Sequence, residues 1–271
     1  NGWSMTIVSS NTESAKSLIL RVLDIDLDFF LNKKHVSFGG TKGRLNKKIY
    51  ISWNASEVSS FIENQCSLKK KVAGQVFDTH YEVLSALKDV SDRHGTVQFD
   101  IDHIDAHADL GFGDSSYMYI FKELLTLPIE DKLHSILGGG YGLNEGNFLL
   151  FAIACGLVAS LSYIVPPKWA TDIPPCVMKD FELNASAIQL KHYGNALSPL
   201  SCLNINQIPI DRLEVEVPFR IIDSSCFVAS GEYDMFFLTK SPKYTPKTSD
   251  LLIPVLKRFM IENKSNENQD K

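Results

Sequence analysis

A chain of 271 residues, 44% of them hydrophobic, is long enough for one or two domains and apolar enough to bury a full core. Its formal net charge of -5 argues against nucleic acid or an anionic membrane as the main partner, since phosphate contacts need a basic footprint. The five scattered cysteines (Cys66, Cys155, Cys176, Cys202, Cys226) form no Cys-x-x-Cys pair, which argues against a disulfide framework or a zinc finger and for a reducing cytoplasm.

Residues 1–5 read as an expression remnant ahead of a native start at Met5, and no signal peptide is expected. Leu18–Phe30 then alternates apolar residues with acids and reads as a strand. Asn32–Lys48 is a loop rich in Lys and Gly. Asn54 and Glu57 have capping-box spacing and open a helix toward Cys66. Asp78–Ser91 has helical spacing through Val83, Leu84, Leu87 and Val90, and Val97–Ile104 is a second strand. Tyr117–Leu125 reads as a helix, and Leu133–Leu137 as a strand ending in Gly138-Gly139-Gly140. Phe148–Val165 runs 18 residues without a charge, the lower limit for a membrane span. Its period changes midway, however, and it contains Gly156, Ser160 and Ser162. It therefore reads as a buried helix over Asn147–Ala159 and a short strand over Ser162–Val165, closed by Pro166-Pro167. Ala187–Leu190, Glu216–Ile222 and Met235–Thr239 are further strands, and Leu251–Ile261 a closing helix. Alternating helices and strands without a linker or repeat predict one α/β domain over residues 6–262 with a mainly parallel sheet, and a disordered polar tail at 263–271.

Ligands of such folds gather at the carboxyl ends of strands, and two strand ends are acidic. In Leu23-Asp24-Ile25-Asp26-Leu27-Asp28-Phe29-Phe30 the two-residue strand repeat puts Asp24, Asp26 and Asp28 on one face. Clustered in an apolar strand they repel one another and are costly to desolvate, which a cation would relieve. An edge strand with a solvated acidic face is the bland alternative. The second end, His103-Ile104-Asp105-Ala106-His107-Ala108-Asp109, offers two oxygen ligands and an imidazole in Asp-x-His-x-Asp spacing. Asp100 and Asp102, of opposite parity, read as supporting or paired structural acids. His80 begins the Asp78–Ser91 helix, where a capping or surface role is the ordinary one. Carboxylates and imidazoles without cysteine favour Mn²⁺, Fe²⁺ or Zn²⁺, and bridging aspartates favour two ions.

Asp105-Ala-His107-Ala-Asp109 resembles the Asp-Ala-His-x-Asp signature of ureohydrolases, the arginase and agmatinase superfamily. Asp26-Leu-Asp28 is similar to that superfamily's Asp-Val-Asp strand, and His80 to its isolated upstream histidine. Two features depart from ordinary arginases. The Asp-x-Asp strand comes first in the chain, and the Gly-Gly-Asp-His context of the histidine is missing. This order resembles a divergent branch containing peptide arginases, as do Asn144-Glu145-Gly146-Asn147 and Ser241-Pro242-Lys243-Tyr244-Thr245-Pro246. The resemblance spans roughly residues 18–260. It implies a three-layer α-β-α fold of arginase/deacetylase type. It also implies two Mn²⁺, one held by His80, Asp26, Asp105 and Asp109, the other by His107, Asp28, Asp26 and Asp105, with Asp24 as a supporting acid. The activity implied is hydrolysis of arginine residues in a ribosomally made precursor peptide to ornithine and urea. Asp109 would relay a proton. Glu145, expected after the Gly138–Gly140 turn, would hold the guanidinium, with Asn147 as a further substrate contact. Glu145 has the alternative of being a plain acid at a helix start. The basic loop (Lys33, Lys34, Lys42, Arg44, Lys47, Lys48) should overhang the site and either steer an acidic leader segment or simply be solvated.

Other readings remain at this level: a small-molecule ureohydrolase, a deacetylase-like single-zinc enzyme, and a non-catalytic metal-binding protein. A haloacid-dehalogenase-like phosphatase is disfavoured. The Thr or Val usual after the second aspartate is replaced by Asp28-Phe29, and Asp-Ala-His-Ala-Asp has no role in that scheme. Oligomeric state is not legible.

Overall fold

The computed structural model describes residues 18–35, 40–95, 97–111, 116–137, 142–198 and 205–262. Residues 1–17, the Gly138–Gly140 turn and the 263–271 tail lie outside them.

The strands are β1 (Leu18–Asp26), β2 (Val72–Phe77), β3 (Val97–Ile104), β4 (Val158–Val165), β5 (Ala187–His192), β6 (Arg212–Asp223), β7 (Met235–Thr239) and β8 (Met260–Glu262). They form one eight-stranded sheet in the order β5-β6-β4-β3-β1-β7-β2-β8. Every neighbouring pair is parallel except β5 with β6. The helices are α1 (Ala55–Asn64), α2 (Tyr81–His94), α3 (Ser116–Lys122), α4 (Ile129–Leu137), α5 (Phe148–Ala154) and α6 (Ile253–Lys257). Two apolar cores separate the layers. One joins Val22, Phe99 and Ile101 of the sheet to α2, α3 and α5. The other joins Leu23, Ile25 and Ile104 to α1 and α6. The architecture is thus a three-layer α/β fold, as the alternation of elements predicts.

Strand parity decides where the acids go. Asp24 and Asp26 share the parity of Val22 and so face the α2/α5 layer. Asp24 stands beside His103 in the β1–β3 register. From β1 the chain crosses toward β2 on one side, and from β3 toward β4 on the other, so connections diverge between these two strands. That divergence is where open α/β sheets place ligands.

The structure corrects several boundaries. β1 stops at Asp26, whose side chain accepts a hydrogen bond from the Asp28 N–H at 3.0 Å and turns the chain into a 3-10 segment, Leu27–Phe30. Asp28 therefore reaches the site through a turn and not by strand alternation. Leu133–Leu137, expected as a strand, belongs to α4. Ile129, Leu133 and Ile136 repeat at helical spacing, and Glu130 and Asp131 suit its first turn. The Asn147–Ala159 helix ends at Ala154, because Gly156 takes a φ of +73° just past the cap and the chain enters β4 four residues before the predicted Ser162. The charge-free run is therefore a helix and a strand, and no described helix is long and apolar enough to cross a membrane. The closing helix divides into a 3-10 segment (Lys247–Leu252), α6 and the strand β8, which adds to β2. β2 itself has no counterpart in the sequence reading. Gly74 interrupts its apolar pattern, and it must be glycine because a Cβ there would lie 2.7 Å from the Phe236 carbonyl. The capping box is as predicted: Asn54 accepts from the N–H groups of Ser56 and Glu57, and Glu57 accepts from that of Asn54. Four of the cysteines are free thiols, and Cys202 lies outside the described residues.

Candidate metal centre

Four neighbouring strand ends supply the site. β1 and the turn after it bring Asp26 and Asp28, and β3 with its following loop brings Asp105, His107 and Asp109. The end of β2 brings His80, at the start of α2, and the end of β7 brings Ser241. All six residues predicted as ligands converge, and five of them are buried, with His107 half-buried.

The imidazole of His80 points Nδ1 at three carboxylates: Asp26 at 3.2 Å, Asp105 at 3.1 Å and Asp109 at 3.0 Å. His107 points Nδ1 at Asp28 at 2.9 Å and at Asp105 at 3.7 Å. Asp105 uses one oxygen toward each histidine, so it is common to both groups. Donor atoms of Asp26, His80 and Asp105, and of Asp28, Asp105 and His107, lie close enough to hold metal ions. Asp109 approaches the same His80 nitrogen at 3.0 Å, and its donor atom groups with those of Asp105 and His103.

Neighbours fix these donors. His107 donates from Nε2 to the carbonyl of His35 at 2.9 Å, which leaves Nδ1 for the site. Asp28 also accepts from the Ala106 N–H, Asp105 from the His107 N–H, and Asp26 from the hydroxyl of Ser241. Asp109 takes a φ of +49°, a left-handed conformation that aspartate tolerates and that turns its carboxylate back toward His80. Phe148, the first residue of α5, stacks on the His80 ring at 4.7 Å between centroids. Asp24 lies behind His80, 3.2 Å from its Nε2, and 2.8 Å from Nδ1 of His103.

The electrostatics show why a cation fits. Five buried carboxylates (Asp24, Asp26, Asp28, Asp105, Asp109) face three imidazoles (His80, His103, His107). Burial and then the charges of Asp26 and Asp105 push Asp28 well above the usual carboxylate range. Burial and the charge of Asp105 raise Asp26, and the same two causes push Asp109 up to about 7. Burial opposes charge on Asp105 and Asp24 as well, but hydrogen bonds and charges from the histidines hold both below their ordinary value. Burial likewise disfavours imidazolium, yet the surrounding acids hold His80 and His107 well above theirs. The protons on these imidazoles and acids offset the buried negative charge only in part. One N–H on His80 Nδ1 cannot serve three carboxylates, and Asp109 Oδ2, buried 3.0 Å from that nitrogen, is not aligned to receive it. Hard oxygen donors with imidazole suit Mn²⁺, Fe²⁺ or Zn²⁺.

The described parts of the 32–48 loop, residues 32–35 and 40–48, include contacts with the site and with the 241–245 segment, while residues 36–39 lie outside the described residues. His35 meets His107, while Thr41 and Leu45 donate to the carbonyls of Lys243 and Thr245. Tyr244 packs 5.3 Å from the His107 ring. Burial, then the charges of Glu145, Asp109, Asp28 and Asp26, push its phenol above its usual range. Glu145 follows helix α4 and not a strand, and its carboxylate is paired at 2.8 Å with Lys243, the residue before Tyr244. Asn147 is fully buried. Its amide oxygen accepts from the Asn144 N–H and its nitrogen donates to the Gly142 carbonyl, so it shapes the loop beneath Glu145.

His103 and Ser241 are the site residues that sequence reasoning missed. His103 carried a signal, since it stands two residues before Asp105 and shares its parity. Ser241 carried none beyond its place in a recognised hexapeptide. Asp100 and Asp102 are structural acids paired with Arg21, at 3.6 Å and 2.7 Å. Comparison with family models, with curated proteins and with solved structures finds no match to this chain.

Proposed function

We propose that this chain is a dinuclear manganese hydrolase that cleaves the guanidinium of arginine residues in a peptide, leaving ornithine and releasing urea. The observation that carries the reading is the pair of carboxylate–imidazole groups that share Asp105 at the β1/β3 strand ends. The ureohydrolase resemblance of the motifs implies fuller sets that contain these groups, His80/Asp26/Asp105/Asp109 and His107/Asp28/Asp26/Asp105.

A pair of divalent ions, when bound, supplies an activated water at moderate pH and stabilises developing negative charge. The chain's own residues supply the rest. Asp105, common to both groups, and Asp26, by the resemblance, would hold both ions. Glu145 already holds a cationic side chain at the mouth, and a guanidinium competing with Lys243 would gain two parallel hydrogen bonds where an ammonium makes one. Asp109, buried beside His80 at 3.0 Å, takes up the proton lost on attack and returns it to the departing ornithine amine. Tyr244 and His35 wall the mouth and limit water.

A peptide suits this mouth better than the free amino acid. Free arginine brings an α-ammonium and an α-carboxylate that need partners, and Lys34, at the start of the loop, is spent on Asp172. A peptide lacks those charges and gains from remote contacts. A cavity of about 360 Å³ beside the loop, lined by Lys47, Ile51, Trp53 and Leu251 among others, offers such contacts.

The test is urea release with Mn²⁺ from an arginine-containing peptide and from free arginine. Urea and ornithine in equal amounts, with kcat/KM at least tenfold higher for the peptide, are expected. A tenfold preference for free arginine, about 1.4 kcal/mol, would replace the reading with a small-molecule ureohydrolase. No urea from either, in cation-loaded protein, would leave a metal-binding protein without this activity.

A further inference from the structure

Both oxygens of Asp24 are taken by imidazole nitrogens, His80 Nε2 at 3.2 Å and His103 Nδ1 at 2.8 Å. A carboxylate only accepts, so both nitrogens carry their hydrogen. That leaves Nδ1 as the one nitrogen of His80 able to bind a cation, and Nδ1 is the nitrogen that faces Asp26, Asp105 and Asp109. His103 is different. Its Nε2 faces the carbonyl of His107 at 3.1 Å, so both of its nitrogens meet acceptors and both must donate. No lone pair remains on His103 for a cation, although its ring lies close enough to Asp105 and Asp109 to be counted among possible ligands.

We propose that Asp24 is the positioning residue of the metal centre and that His103 is an anchor, not a ligand. His80, Asp24, His103 and the backbone of His107 form one buried, hydrogen-bonded strut. It runs from the histidine of one cation position to the histidine of the other, so the two positions are mechanically joined. Phe148 holds the face of the His80 ring and Asp24 holds its edge, which together forbid the ring flip that would turn Nδ1 away. Carboxylates behind ligand histidines act in this way at metal sites generally. The inference deepens the hydrolase reading and rests on its metal centre, but not on its substrate.

The test uses the full chain with ¹⁵N-labelled histidine. In cation-free protein, a slowly exchanging, hydrogen-bonded proton on His80 Nε2 and two such protons on His103 are expected. Asp24→Asn should lose the His80 Nε2 proton and bind Mn²⁺ about 10–100-fold more weakly by calorimetry. His103→Gln should keep the His80 proton and lose less affinity. The wild-type spectrum needs no variant to fold. A wild-type His80 protonated only on Nδ1, or an Asp24→Asn chain that binds Mn²⁺ as tightly as wild type, overturns the proposal. Should the wild-type chain bind no Mn²⁺, the hydrolase reading fails on its own. The Nε2 proton then still supports the positioning role if present, and overturns it if absent.

Discussion

Two acid clusters are buried on the same strand pair, β1–β3, and the chain treats them in opposite ways. On the sheet face toward α1 and α6, Asp102 is held by Arg21 at 2.7 Å and by the Tyr233 hydroxyl at 2.7 Å, with the guanidinium over the Tyr233 ring. That cluster carries its own cation, which cannot lose its proton. At the C-terminal ends, the positive charge that the described residues place against five carboxylates comes from imidazoles, which can give up a proton and admit a metal ion. Buried acids alone therefore do not mark a site. A site is marked by buried acids in excess of the permanent positive charge around them.

Removing a shared carboxylate should break the contrast most severely. Asp105→Ala, or Asp26→Ala, is expected to lower peptide turnover by roughly 10⁴-fold, about 5.5 kcal/mol. His80→Ala should cost less, because His80 serves one cation position and Asp105 two. Equal losses in all three variants would contradict the bridging roles. The other cluster should respond in stability and not in chemistry. Arg21→Met leaves Asp102 buried with its charge uncompensated and should lower unfolding free energy by about 3–5 kcal/mol in denaturant titration, with Mn²⁺ loading unchanged. Loss of loading in Arg21→Met would mean that the clusters are not independent.

Acidity should sharpen the contrast further. His80 and His107 have raised pKa values in the cation-free protein, so protons occupy the Nδ1 positions that a cation needs. Apparent Mn²⁺ affinity should therefore fall as pH drops through those raised values, by about 1.4 kcal/mol per pH unit for each proton displaced. Calorimetry across pH 6–9 in buffers of different ionisation heat measures the protons released. Affinity independent of pH would contradict a site in which protons and a cation compete.

Much of this was legible in the sequence because strand periodicity and strand-end acids are local. Asp26, His107 and Asp109 could be named from two short motifs, and α1 from its capping box. What escaped depended on tertiary neighbours. β2 is broken by Gly74, whose reason is the Phe236 backbone 162 residues away in sequence. Leu133–Leu137 is too short a run to distinguish a helix from a strand, and the acids of its first turn were the better signal. The supporting role of His103 rests on contacts with Asp24 and the His107 carbonyl, and only the β1–β3 register brings the first of these together. Asp24 and Asp102 look alike in sequence, each an acid in an apolar strand, and only their partners separate them.

The most direct test of the central claim is cation stoichiometry. The full chain, stripped with chelator, loaded with Mn²⁺ and desalted, should retain two ions per chain by elemental analysis, and Asp105→Ala close to none. Retention of no Mn²⁺, Fe²⁺ or Zn²⁺ by wild-type protein that still releases urea from an arginine-containing peptide would contradict the account.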